Sequence, residues 1–205
     1  MPAELELKLE ISPESVGDFL EATQALGWRQ DDEQFLANRY FDTPDQALQR
    51  ERIALRVRKA GGRWIQTLKT AGTVDANGIS HRGEWEWEVA NGELDTKLLG
   101  GLLPASIASH SLTPLFTTDF KRVTWIVQYQ ESSVEVALDI GEICAANQTL
   151  PISEVELELK AGAPESVIAL AELLKQHVEL RVSTVSKAER AQQLLAAVVS
   201  SNCLE

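Results

Sequence analysis

Glu4-Leu5-Glu6-Leu7-Lys8-Leu9-Glu10-Ile11 alternates without a break. Successive side chains of a strand point to opposite faces, so Glu4, Glu6, Lys8 and Glu10 share one face and Leu5, Leu7, Leu9 and Ile11 the other. One face of this strand is wholly charged. The pattern returns near the other end of the chain in Glu154-Val155-Glu156-Leu157-Glu158-Leu159-Lys160. It also marks Ile53-Ala54-Leu55-Arg56-Val57-Arg58 and the run from Arg82 through Glu84, Glu86 and Glu88. A sheet of such strands is either wet on its charged face or closed into a barrel with an ionic lumen.

The rest of the chain supplies the neighbours. Ser12-Pro13 reads as a helix start, and Val16, Phe19, Leu20, Thr23 and Leu26 recur at helical spacing up to Gly27. Trp28 to Asp42 reads as a strand region, Asp42 to Asp45 as a turn, and Gln46 to Arg50 as a short helix. Two runs around Gly61-Gly62, residues 53–58 and 64–69, make a hairpin. Residues 72–78 read as a loop and 94–113 as short surface helices broken by Gly100-Gly101 and Pro104. A strand from Leu115 to Tyr129 should turn at Glu131-Ser132-Ser133 into Val134–Asp139, with a further strand over Ile152–Lys160. Helices are expected after Gly162-Ala163-Pro164 and over Ser186–Val199. About eight strands with hairpin links and three or four helices predict a single antiparallel α+β domain over residues 1–203. Leu204-Glu205 reads as a cloning scar, which allows the natural chain to continue into another domain.

Composition narrows the function. No apolar run approaches a membrane span and no secretory leader is recognisable, which predicts a cytoplasmic protein. A net charge of -12 argues against nucleic acid as partner, so an anionic ligand needs a local cluster of bases or a carboxylate-bound metal. Cys144 and Cys203 form no disulfide framework, and His81, His110 and His177 lack metal-site spacing.

The charged faces themselves offer both halves of a metal-phosphate site. Glu pairs at i and i+2 repel unless a cation lies between them, and Mg²⁺ or Mn²⁺ prefers such carboxylate oxygens. Lys8, Arg56, Arg58, Lys69 and Arg122 would supply phosphate donors. A solvated face with no ligand is the alternative reading of the same pattern.

Glu4-Leu5-Glu6-Leu7-Lys8 resembles the ExExK signature of the CYTH family, the triphosphate tunnel metalloenzymes. Tyr40-Phe41-Asp42-Thr43, Leu55-Arg56-Val57-Arg58, Thr67-Leu68-Lys69, Arg82-Gly83-Glu84, Phe120-Lys121-Arg122, Glu135 to Asp139 and Glu156-Leu157-Glu158 extend the resemblance along the chain. Pro114 to Phe120 and Ser186-Lys187-Ala188 look most like the bacterial inorganic triphosphatases that carry a C-terminal CHAD domain. The resemblance implies a closed antiparallel eight-stranded β-barrel, a triphosphate tunnel with helices packed outside. It implies Mg²⁺ or Mn²⁺ on Glu4, Glu6, Glu156 and Glu158, with Glu84, Glu135 and Asp139 as second-site ligands. Lys8, Arg56, Arg58, Lys69, Arg82, Arg122 and Lys187 would bind substrate, and Glu4, Glu6, Lys8, Arg56, Arg58, Lys69 and Arg122 would carry catalysis. The implied reaction is hydrolysis of inorganic triphosphate to diphosphate and phosphate. Thiamine triphosphatase, class IV adenylate cyclase and a non-catalytic polyphosphate-binding module are the alternatives. One position departs from many relatives: Phe120 stands where they place a lysine, and Lys121 should point to the opposite face.

Overall fold

Strand closure is the first thing the alternation produces. The structure, a computed structural model, describes residues 3–202. Its strands are β1 (Ala3–Ile11), β2 (Gln30–Asp42), β3 (Ala54–Ala60), β4 (Arg63–Lys69), β5 (Thr73–Val74), β6 (Ser80–Val89), β7 (Thr113–Tyr129), β8 (Ser132–Ala145), β9 (Gln148–Ala161) and β10 (Leu180–Ser183). Around the barrel the order is β1-β9-β8-β7-β2-β3-β4-β6, and β6 returns to β1, so eight strands close with antiparallel pairing throughout. The second edge of β1 is divided: Ala3–Glu6 pair with β6, and Lys8–Ile11 pair with β10. β5 extends the open part of β6.

Charges point in and apolar side chains out, because the helices lie over the outer faces. α1 (Val16–Ala25) and α4 (Pro164–Lys175) cover Leu7, Leu9, Val136, Val155 and Leu157 with Phe19, Val167, Leu170 and Leu174. Burying side chains of this size stabilises the fold by about 1.5–3 kcal/mol each. Val57 packs with Leu99 and Ile107 beneath the segment that links β6 to β7, on the opposite side of the barrel from α1, and Leu20 stays 37% exposed on the solvent side of α1. That linking segment contains α3 (Ala105–Ala108). α5 (Lys187–Asn202) sits differently: Ala188 and Ala191 cover Tyr40, Phe116, Phe120 and Ile152, which share the inward parity of the lumen at one end.

The short helix α2 (Ala47–Arg50) is held by Asp42, whose carboxylate accepts from the amides of Thr43, Leu48 and Gln49 at 2.7, 2.8 and 3.1 Å. Two hairpin corners are made without glycine. β7 turns into β8 through Gln130-Glu131, one residue before the expected Glu131-Ser132-Ser133, and β8 turns into β9 through Ala146-Asn147. All four residues have positive φ, the geometry of a tight hairpin whose twist matches its strands. Cys203 and the Leu204-Glu205 pair lie outside the described residues.

Candidate functional site in the barrel lumen

Inward parity gathers the charged residues around one cavity of about 370 Å³, whose wall includes Glu4, Glu6, Lys8, Arg56, Arg58 and Lys69. Arg82, Glu84, Arg122, Glu135, Glu156, Glu158 and Lys187 also line it, and Asp139 lies fully buried behind Arg122. Register places them in pairs: Glu6 opposite Glu158, Lys8 opposite Glu156, Glu4 opposite Arg82, and Lys69 opposite Glu84. These charges do not face bulk water, which excludes the wet-sheet reading. Lys121, as its parity predicts, points outward to Glu33 at 2.7 Å.

The carboxylates divide into two electrostatic groups. In the first, Asp139, Glu154 and Glu156 offer oxygens within 4.8 Å of one another. Lys187, at the start of α5, fills the space between them, with its ammonium 2.7 Å from Asp139, 3.0 Å from Glu156 and bonded to Glu154. Arg122 adds a fork on Asp139 at 2.6 and 2.7 Å and a bond to Glu156. Burial would raise the Glu156 carboxyl, but Lys187, Arg122 and Lys8 outweigh it and hold it well below the usual range. This trio already has its cation.

In the second group the bases offset burial less completely. Glu4 accepts from Lys69 at 2.6 and 2.7 Å and from Arg82 at 3.3 Å. Burial, joined by the neighbouring Glu6 and Glu84 carboxylates, nonetheless raises it to about 7. Glu6 is bonded by Arg82 at 2.8 Å and Lys8 at 3.4 Å; burial opposes its ionisation, yet these cations bring it down to about 2. Burial and Glu135 raise Glu158 even though Lys160 lies 2.8 Å away. A divalent cation fits along Glu4, Glu6, Glu84, Glu135 and Glu158, where Glu4 and Glu158 stay raised despite the bases beside them, better than inside the trio that Lys187 fills.

Facing that acidic side is a basic patch short of partners. Arg58 donates through Nε to Asn38 Oδ1 at 2.7 Å and makes no ion pair among the described residues. Burial, with the Arg56 and Arg122 cations beside it, brings Arg58 down to about 9. Arg56 reaches Glu84 and Glu86 only at 3.9 Å, and its buried Nε has no hydrogen-bond partner. Buried donors left in this state favour an incoming anion with several acceptor oxygens. Phe120 lies below, with Lys187 Nζ 4.9 Å and Arg122 Cζ 5.6 Å from its ring centre, so an aromatic face takes the place of another cation.

Three residues that contact the charges of the site went unread in the sequence. Lys160 continues the 154-156-158 alternation and was open to discovery by parity alone. Asn38 gave a weaker signal, an amide inside a strand, where such residues are depleted. Arg190, 3.6 Å from Glu154, lies one turn beyond Lys187 on α5 and becomes relevant only once that helix is placed.

Fold and site together define a closed antiparallel barrel with an ionic, ligand-sized lumen. The chain belongs to the CYTH domain family, whose profile matches residues 2–191. It is 36% identical over 192 residues to the inorganic triphosphatase of Haemophilus influenzae, covering 93% of this chain and 54% of that protein. The chain thus spans about half the length of this curated relative. Among solved structures, the Hippeastrum protein HpAC1, named as an adenylyl cyclase and described with a dominant triphosphatase activity, superposes with a TM-score of 0.64 at 18% identity. That match covers 93% of this chain and 95% of HpAC1. The PH1819 protein of Pyrococcus horikoshii superposes with a TM-score of 0.62 at 20% identity, covering 93% and 98%.

Proposed function

We propose that the lumen binds inorganic triphosphate with Mg²⁺ or Mn²⁺ and hydrolyses it to diphosphate and phosphate. The observation that carries this reading is the opposition of Arg56 and Arg58, two buried and under-partnered guanidinium groups, to a wall of closely spaced carboxylates of which Glu4 and Glu158 stay raised. The 36% identity to an inorganic triphosphatase supports the same substrate.

Glu4, Glu6, Glu156 and Glu158 are the ligands proposed for the ion, with Glu84, Glu135 and Asp139 as a second set. Glu4 and Glu158, which stay raised beside their bases, are the best-fitting members, with Glu6 between them in the lumen wall, whereas Glu156 and Asp139 would first have to release Lys187 and Arg122. A bound divalent ion supplies Lewis acidity toward the phosphoryl oxygens or the attacking water. Arg56 and Arg58 hold the phosphate oxygens, and Lys8, Lys69 and Arg82 are positioned to offset charge as the leaving diphosphate forms. Arg122 and Lys187 act on substrate through the orientation of Glu156. We place the protein in the cytoplasm, without nucleic-acid or membrane partners; no helix among the described residues is long and apolar enough to cross a membrane. A CHAD domain following this one fits the greater length of the relative.

A panel of tripolyphosphate, thiamine triphosphate and ATP, each with Mg²⁺ and with Mn²⁺, tests the proposal. Orthophosphate released from tripolyphosphate, without cyclic AMP from ATP, is expected. Glu4→Gln and Glu6→Gln should abolish this turnover with the circular dichroism spectrum unchanged. Binding without turnover under both metals would identify a polyphosphate-binding module instead.

A further inference from the structure

We propose that the lumen has a second anion site, at the end beside the start of α5, where orthophosphate binds and leaves separately from the entering substrate; the exit role rests on the triphosphatase reading above. A cavity of about 250 Å³ lies there between α2, the β5 loop and the start of α5. It shares Glu6, Lys8 and Arg82 with the main cavity, so the two meet at the same side chains. Its remaining wall offers neutral hydrogen-bonding groups, among them Thr70, Ser80 and Ser183, and one further cation, Arg52. Lys8, Arg52 and Arg82 face two carboxylates that are already engaged. Glu6 is bonded to Arg82 and Lys8, and Glu189 accepts from the Ser186 amide and hydroxyl, both at 2.8 Å.

Arg52 is the residue whose presence needs explaining. Its amide bonds Gln49 O and the Ile53 amide bonds Leu48 O, both at 2.9 Å, which is the pair of bonds that ends a helix through a left-handed residue. α1 ends through the same pair of bonds with Gly27 at the left-handed position, φ 72°. At the end of α2 that position is held by Arg52 at φ 55°. Only glycine takes this conformation freely, so an arginine here gives up stability. Its side chain makes no ion pair among the described residues and lines the cavity instead. Strained backbone positions cluster at ligand clamps, and this one carries its cation to the wall of a basic cavity. The chemistry matches as well. Cleavage turns one anion into two that repel inside a confined lumen, and a single opening would force one product to wait for the other.

The variant Arg52→Gly removes the cation while relieving the backbone, so failure to fold is not expected; its melting temperature should equal or exceed that of the parent. Initial-rate kinetics with added orthophosphate should show inhibition of the parent that is not competitive with tripolyphosphate. In Arg52→Gly the orthophosphate inhibition constant should rise at least about tenfold, with kcat and KM for tripolyphosphate unchanged. Competitive inhibition in the parent, or an unchanged constant in the variant, overturns the proposal. If tripolyphosphate is not turned over, the activity reading fails by itself. Titration of both proteins with orthophosphate followed by ³¹P NMR then decides the site: weaker binding in Arg52→Gly supports it, and equal binding overturns it.

Discussion

Two arginines on the same lumen wall, Arg58 and Arg122, are built for different tasks. Arg58 has an amide oxygen as partner and other cations as neighbours. Arg122 is fixed by a two-bond fork to Asp139, a carboxylate with no exposure at all. Arg58→Met keeps the aliphatic stem and removes an unpaired buried charge, so the ligand-free protein should melt no lower than the parent. Its affinity for tripolyphosphate in calorimetric titration should fall by about 1.5–3 kcal/mol. Arg122→Met strands Asp139 and Glu156, and urea titration should show a loss of about 3–5 kcal/mol in folding stability before any substrate is added. Parity in the sequence put both residues on one face. It could not separate them, because Asn38 and Asp139 enter their surroundings from other strands. Lys187 illustrates the same limit: read as a substrate ligand, it lies among three carboxylates that only the closed barrel brings together.

Elements whose face alternates were legible from the order of residues alone, and elements without alternation were not. β10 shows the difference: of Leu180-Arg181-Val182-Ser183, the two middle residues are exposed and the strand exists only because it continues the edge of β1 beyond β6. The hairpin corners show it too, since Gln130-Glu131 and Ala146-Asn147 lack the Asn-Gly chemistry that left-handed corners favour. Ser132 instead serves inside the fold, with its Oγ 2.9 Å from Ser166 Oγ and accepting from the Ala163 amide at 3.0 Å. Replacing the strained corners tests this reading. Gln130→Asn with Glu131→Gly, and separately Ala146→Asn, should each stabilise the hairpin by roughly 0.5–1 kcal/mol. Scanning calorimetry should then show a rise of up to about 4 °C for each, with polyphosphate turnover unaltered because neither corner reaches the lumen wall.

The molecule as a whole depends on a seam. Only Ala3–Glu6 of β1 close the circle onto β6, while its opposite edge pairs with β9 through Glu6 to Glu10. In pulse-labelled hydrogen exchange the amides of β1 should gain protection after those of the β7-β8-β9 meander, whose strands are joined by two-residue corners and need little loop closure; early protection of β1 would contradict this order. During translation the consequence is a wait. β1 leaves the ribosome long before Glu158 exists, and until then it is an unpaired strand, the kind of segment that recruits other chains. Glu4, Glu6, Lys8 and Glu10 set a charge at every second position of that exposed ribbon, and such charges keep nascent strands apart. The residues proposed to hold metal and phosphate in the finished barrel would thus guard the chain against aggregation while it is still being made.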